Sequence, residues 1–284
     1  MIETSEPATT ATPARDWVKI LAKYREPSLR RSLIEIVVTV VPLVALWLIA
    51  WWALSVSVWL TLALAIPLGG MLTRLFLIQH DCGHGTFFRR SAANDWVGRV
   101  LGIFTMTPYD VWRRSHATHH ATTGHLDKRG IGDITTLTVK EYDALPWWAR
   151  LRYRIYRNPL VLFVIGPAYI FLIQHRLPLG FTQTSWRYWV SCMVTNLAIV
   201  ALIGVQIYLL GIEPVLLIQL PMVVFAASIG VWLFYVQHQF EDTIWAADEE
   251  WDFHEAALYG SSHYVLPAPL RWITANIGMH HVHH

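Results

Sequence analysis

Eight imidazoles at helical spacing are the residues in this sequence best placed to do chemistry. His80 and His84 form an HxxxH, His116, His119 and His120 an HxxHH, and His280, His283 and His284 a second HxxHH. Residues three and four apart share one face of a helix, so each box can aim two or three nitrogens at a point from one rigid segment. Eight nitrogens exceed what one metal ion accepts and suit two. Clustered ligands at this spacing mark metal sites. Imidazole takes zinc, copper, iron and nickel alike, so residue type leaves the metal open. A shell without thiolate argues against a closed structural zinc site. Zinc would imply hydrolysis and iron would imply oxygen chemistry. No HExxH or GxSxG pattern and no paired cysteine box competes.

The elements that must bring the boxes together are apolar. Hydrophobic residues make up 54% of the 284 and charged residues only 15%, with 15 Trp. A soluble domain carries roughly 25% charge, so much of this surface is expected to face lipid. The formal charge of +2 is too small for a nucleic-acid partner. Cys82 and Cys192 give no disulfide framework and fit a reducing compartment.

Residues 1–32 read as a polar tail, and residues 33–284 as one membrane domain. Arg15, Lys19, Lys23, Arg25, Arg30 and Arg31 precede the first apolar run, which places the N-terminus in the cytoplasm by the positive-inside rule. Leu33 to Gln79 is long enough for two spans at ~20 residues each, with a break near Leu54-Ser55-Val56-Ser57. Arg74 is the basic residue inside this pair, either snorkelling or facing a polar interior. The second helix then delivers His80 and His84 to the cytoplasmic face. Val97 to Met106 is too short to span. Thr138-Val139-Lys140-Glu141 reads as a capping box. Arg150, Arg152, Arg154 and Arg157, interleaved with Tyr153 and Tyr156, suit a segment in the headgroup layer.

Leu160 to Ile173 decides the topology. If it spanned, the third box would emerge across the membrane from the other two. It is therefore expected to dip in or lie flat. Trp189–Leu210 and Val215–Val236 then form a second hairpin joined by Gly211-Ile212-Glu213-Pro214. The fold class expected is an all-α integral membrane protein: four transmembrane helices in two hairpins, interfacial or re-entrant helices, and a histidine-rich cap. His238 sits where the fourth helix leaves the bilayer, the place His80 takes on the second.

These boxes, their order and the paired spans resemble the membrane fatty acid desaturases over essentially the whole sequence from about residue 30. His80-Asp81-Cys82-Gly83-His84-Gly85, the stretch 234–240 and Asn276-Ile277-Gly278 are most similar to the acyl-lipid delta-12, or omega-6, branch. The resemblance implies two iron ions, cycling between Fe2+ and Fe3+, that use dioxygen and two electrons to desaturate a lipid-linked acyl group. It implies His80, His84, His116, His119, His120, His280, His283 and His284 as ligands, with His238 as a further one. His281 falls at a variable position of the pattern. Family members continue past the third box, so the domain is expected to be incomplete at its C-terminus.

The chemistry agrees with that implication. A C–H bond in the middle of an alkyl group has neither an acidic proton nor a leaving group, so acid and base side chains alone are unable to attack it. Asp81, Glu241, Asp242 and Asn276 are candidates to orient the ligands from behind, with Glu255 a further acid in reach. His125, His175, His254 and His263 lie outside the boxes and are read as non-ligands. No haem motif or iron–sulfur cysteine set is present, so the electrons are expected from a separate ferredoxin or cytochrome b5. The expected setting is the bacterial inner membrane, with the site on its cytoplasmic side and membrane lipid around it. A hydroxylase on the same scaffold is the alternative. A membrane zinc hydrolase stands further off, and a metal transporter is disfavoured because the spans hold very few polar residues.

Overall fold

The computed structural model describes residues 19–22, 26–130, 132–178 and 185–284. Arg15, Lys23, Arg25 and most of the expected N-terminal tail lie outside the described residues. The described part is helical, and four of its helical segments are long and apolar enough to cross a membrane. They are α1 (Leu29–Ala53), α2 (Val58–His84), α8 (Trp186–Leu210), and α9 (Leu220–His238) with the π-helical turn Val215–Gln219 that opens it. Between the pairs lie α3 (Ser91–Phe104), α4 (Tyr109–Thr122), α5 (Val139–Ala144), α6 (Trp147–Tyr156) and α7 (Gly166–Leu172). After α9 come α10 (Phe253–Tyr259), α11 (Ala268–Ile273) and the single turn α12 (His280–His283).

Burial ranks the spans. In its most apolar stretch α2 has 67% of its residues buried, against 11% for α1, 11% for α8 and 22% for α9. So α2 is the hub, and the other three give most of their surface to lipid. With no hydrophobic drive between helices in a bilayer, close packing needs small residues at the crossing. Gly69 supplies one: a Cβ there would stand 2.6 Å from the Phe225 Cβ and 3.1 Å from the Ala226 backbone nitrogen of α9. The tips of α1 and α2 meet in the same way over buried Ala50, Ala53 and Ala65, and their link is Leu54–Ser57, where the sequence placed it.

Arg74 faces the interior. Its Nε donates to Thr39 Oγ1 at 3.1 Å, and its guanidinium also bonds Glu35 of α1 and the Trp272 carbonyl at the end of α11. The ring of Trp272 lies under it, 4.1 Å away. This one residue ties the first hairpin to the segment that leads into the third box. Arg74→Met is expected to cost about 2–4 kcal/mol, because it leaves a carboxylate and a carbonyl without their donor. Thermal unfolding in detergent measures it, and an unchanged midpoint would remove the clamp.

Short polar devices set α3 and α4 against the end of α2. Asn94 is buried and brackets Phe88, accepting from its N–H at 2.8 Å and donating to its carbonyl at 2.7 Å. Tyr109, fully buried at the start of α4, donates to the Cys82 carbonyl of α2 at 2.9 Å. Thr138 and Glu141 form the expected capping box at α5. The segment after α6 turns by 60° and runs Val161–Arg176 as a π-helical turn, α7 and a 3₁₀ turn. That bend is the dip the topology required. It leaves the ends of α2 and α9 on one face.

Candidate metal centre

Nine histidine side chains converge at the shared end of α2 and α9, and they sort into two groups. His80, His84, His116, His120 and His283 each offer a ring nitrogen to one group, and His119, His238, His280 and His284 to the other, all within 4.8 Å of one another in each. The HxxHH spacing explains the division. In α4, His116 and His120, four apart, face the first group, and His119 is turned to the second. In the terminal box, α12 and the residue that caps it, the roles reverse, with His280 and His284 on the second group and His283 on the first. The groups adjoin, the rings of His120 and His284 stacking 4.0 Å apart.

Local structure delivers each ring. His80 and His84 sit in the last turns of α2, and His238 is the last residue of α9. The short α12 is held to α9 by the backbone. Ser262 accepts from the His280 N–H at 3.1 Å and itself bonds Gln237 and Val236 at 2.9 Å, while the Gln237 side chain donates to the Ile277 carbonyl at 2.9 Å. Trp112 stacks on His116 at 4.8 Å and 16°.

The partners behind the rings fix their tautomers. His119 Nδ1 lies 2.6 Å from Asp133 Oδ1, and His238 Nδ1 lies 3.2 Å from the Gly260 carbonyl. Each oxygen accepts from a proton carried on Nδ1, and a ring with its proton there has Nε2 free to ligate. Those two Nε2 atoms stand 3.1 Å apart. With both protons on Nδ1, lone pair would face lone pair there, an arrangement that a shared cation resolves.

The neighbouring separations agree. His238 to His280, His84 to His116, His116 to His120 and His280 to His284 are 2.9, 2.9, 3.1 and 3.1 Å between Nε2 atoms. Nitrogens about 2.1 Å from one ion stand about 3.0 Å apart at right angles and about 3.4 Å apart at the tetrahedral angle. The measured distances match the first. The buried His280 Nδ1 and His283 Nε2 have no hydrogen-bond partner. Burial first, and mutual repulsion second, hold His116, His280, His283 and His284 well below the ordinary imidazole range and push His120 down to about 2. Neutral imidazoles are the form that ligates. The residues fit two metal ions.

Of the orienting groups expected from sequence, Asp81 reaches its ring, 3.3 Å from His80 Nδ1. The others do not. Glu241, Asp242 and Glu255 are exposed and bond to none of these histidines. Asn276 is exposed in a left-handed turn with φ 61°, its carbonyl accepting from Met279, so it shares no helical face with His280. Asp133 and the Gly260 carbonyl take that place instead. Gly132 lets Asp133 approach: its φ is +75°, and a Cβ would stand 3.1 Å from the Ser115 carbonyl. The Gly130-x-Gly132-Asp133 run after the second box was the available signal. Asp133→Asn is expected to lower metal retention and turnover by about 10–100-fold, with little change in helicity. Metal content per protein molecule reads it, and full retention would exclude the role.

His281 turns away from the centre, its ring 5.4 Å from that of His263. His125 is buried elsewhere, its Nε2 2.9 Å from Asp248 and its Nδ1 accepting from the Asp127 N–H at 3.2 Å. Both its ring nitrogens are satisfied, and it joins two loops. His175 lines a cavity of about 520 Å³ that runs from His80, His116 and His280 into the membrane between α2, α9 and the bent segment. Leu72, Phe76, Phe171, Val223 and Leu233 form much of its wall.

The sequence has counterparts among known proteins. The family model for fatty acid desaturase matches residues 57–284. A Bacillus subtilis protein named fatty acid desaturase is 46% identical over 97% of this chain and 78% of its own length. An endoplasmic-reticulum omega-3 fatty acid desaturase of Vigna radiata is 29% identical over 82% of this chain and 62% of its own length. A Synechocystis protein named sn-1 acyl-lipid omega-3 desaturase (ferredoxin) is 37% identical over 36% of this chain and 27% of its own length.

Proposed function

The chain belongs to the fatty acid desaturase family, and from that premise we propose that each histidine group holds one iron ion and that the apolar cavity between α2 and α9 receives the acyl group of a membrane lipid. The observation that carries the metal reading is the convergence of nine histidines into two groups, the ring nitrogens of each lying within 4.8 Å of one another. The right-angled nitrogen spacing supports a higher-coordinate ion such as iron over tetrahedral zinc. Bound iron, with dioxygen, supplies the oxidising power that an unactivated methylene pair requires. The balance is one –CH2–CH2– with O2, two electrons and two protons, giving –CH=CH– and two waters.

The protein's own part is positioning. The apolar wall orients the acyl group and excludes water, and the mouth at His80, His116 and His280 fixes which methylenes meet the centre. Asp133 and the Gly260 carbonyl keep the proton on the outer nitrogen of His119 and His238. The exposed arginines of α6 support placing this face in the cytoplasm by the positive-inside rule. The electrons enter from a separate small redox protein of the ferredoxin or cytochrome b5 type, since the sequence holds no second redox motif.

The test is expression in a host whose membrane lipids lack polyunsaturated acyl groups. Fatty acid analysis should show products two hydrogens lighter, formed only with oxygen, by a protein carrying two irons per molecule. Turnover without oxygen would overturn the reading. So would products heavier by one oxygen, or zinc in place of iron.

A further inference from the structure

A second cavity, of about 940 Å³, lies on the side of α4 turned away from the histidines, between α3, α4 and the first turns of α8. Its lining changes character with depth. Four arginines, Arg99, Arg113, Arg114 and Arg187, stand at it, flanked by Trp96 and Trp186, which are 66% and 72% exposed. Below them Ile103 of α3 and Val190 and Val194 of α8 continue the lining toward the membrane. From Arg187 to Val194 is seven residues, about 10 Å of helix.

The arginines are not equivalent. Arg99 is held by Asp110 at 2.8 and 3.0 Å, and Arg113 by Asp95 at 2.8 Å. Among the described residues Arg114 and Arg187, both exposed, have no acidic partner. Four arginines against two aspartates leave the groove with two surplus positive charges. Cations and tryptophans at headgroup level above an apolar slot match an anionic lipid, whose phosphate and acyl tail need both.

We infer that this groove binds an anionic glycerophospholipid, its phosphate between Arg114 and Arg187 and one acyl tail along Val190 and Val194. A free phosphate would gain nothing from the apolar floor, and a protein partner would not reach down it. The bound lipid would brace α4 from behind while His116, His119 and His120 face the centre. Lipid binding at this groove does not depend on the reaction assigned above.

The experiment uses the full-length protein purified in a neutral detergent, with phosphatidylglycerol, phosphatidylcholine and inorganic phosphate as separate probes read by native mass spectrometry. The variants are the pair Arg114→Gln with Arg187→Gln, and Arg152→Gln on exposed α6 as the control. Phosphatidylglycerol should stay bound where phosphatidylcholine does not. The pair should weaken it about thirty-fold, and the control should not. Equal affinity in the pair, an equal loss in the control, or displacement by inorganic phosphate at matching concentration would overturn the proposal. Loss of binding to an acidic redox protein, with lipid binding intact, would make the groove a protein-docking surface and would also overturn it.

Discussion

Alanine at His238 is expected to strip the four-histidine group of its metal and lower turnover by at least about 100-fold, the upper range for groups that only support a ligand. The reason is position. His238 Nε2 stands between two other Nε2 atoms, His280 at 2.9 Å and His119 at 3.1 Å, so its loss breaks two of the three short links in that group and leaves only His280–His284. The ring is buried and held by the Gly260 carbonyl, and no neighbouring residue is placed to replace it. The measurement is iron per protein molecule alongside fatty acid analysis. Iron should fall clearly below two per molecule while helicity holds. Full iron with near-normal turnover would mean that His238 only packs against the site. His281→Ala is the companion, a histidine one residue from His280 whose ring faces His263. It should leave iron content unchanged.

Gly69→Ala should have the second largest effect, far from any histidine. One methyl group there would overlap Phe225 Cβ at 2.6 Å and crowd the Ala226 nitrogen at 3.1 Å. Neither atom moves with a rotamer, so α2 and α9 must part. Overpacking of this kind costs about 1–3 kcal/mol. These two helices carry His80, His84 and His238 on their adjoining ends, so a shift at the crossing travels to the metal groups. The neighbouring Gly70→Ala is the internal control: its Cβ would meet only the Ile273 side chain, at 3.4 Å. It should be neutral, or stabilising by up to about 1 kcal/mol through helix propensity. Unfolding midpoint and iron content should therefore fall in Gly69→Ala and hold in Gly70→Ala. Equal behaviour would show that the crossing tolerates separation.

What could be seen in the sequence was whatever depends on length and period. The break at Leu54–Ser57, the capping box at Thr138 and the division into two hairpins follow from apolar run length and local turn chemistry. The convergence of the boxes followed from requiring all three on one face. What escaped depends on contacts made through space. Asp133 meets His119 across fourteen positions through a glycine turn, whereas Glu241, Asp242 and Asn276, near the histidines in sequence, are exposed. Glu35 finds Arg74 from 39 residues away. The arginine groove needs α3, α4 and α8 assembled before any of it exists.

The links Leu54–Ser57 and Gly211–Pro214 are four residues each, and they are all that the two described hairpins show to the far leaflet. A protease or membrane-impermeant label applied there would find almost no handle. On the proposed function, lipid substrate, reductant and proton supply would share the face that carries the histidines. Crowding on that face, more than access across the bilayer, would then limit how a separate reductant approaches.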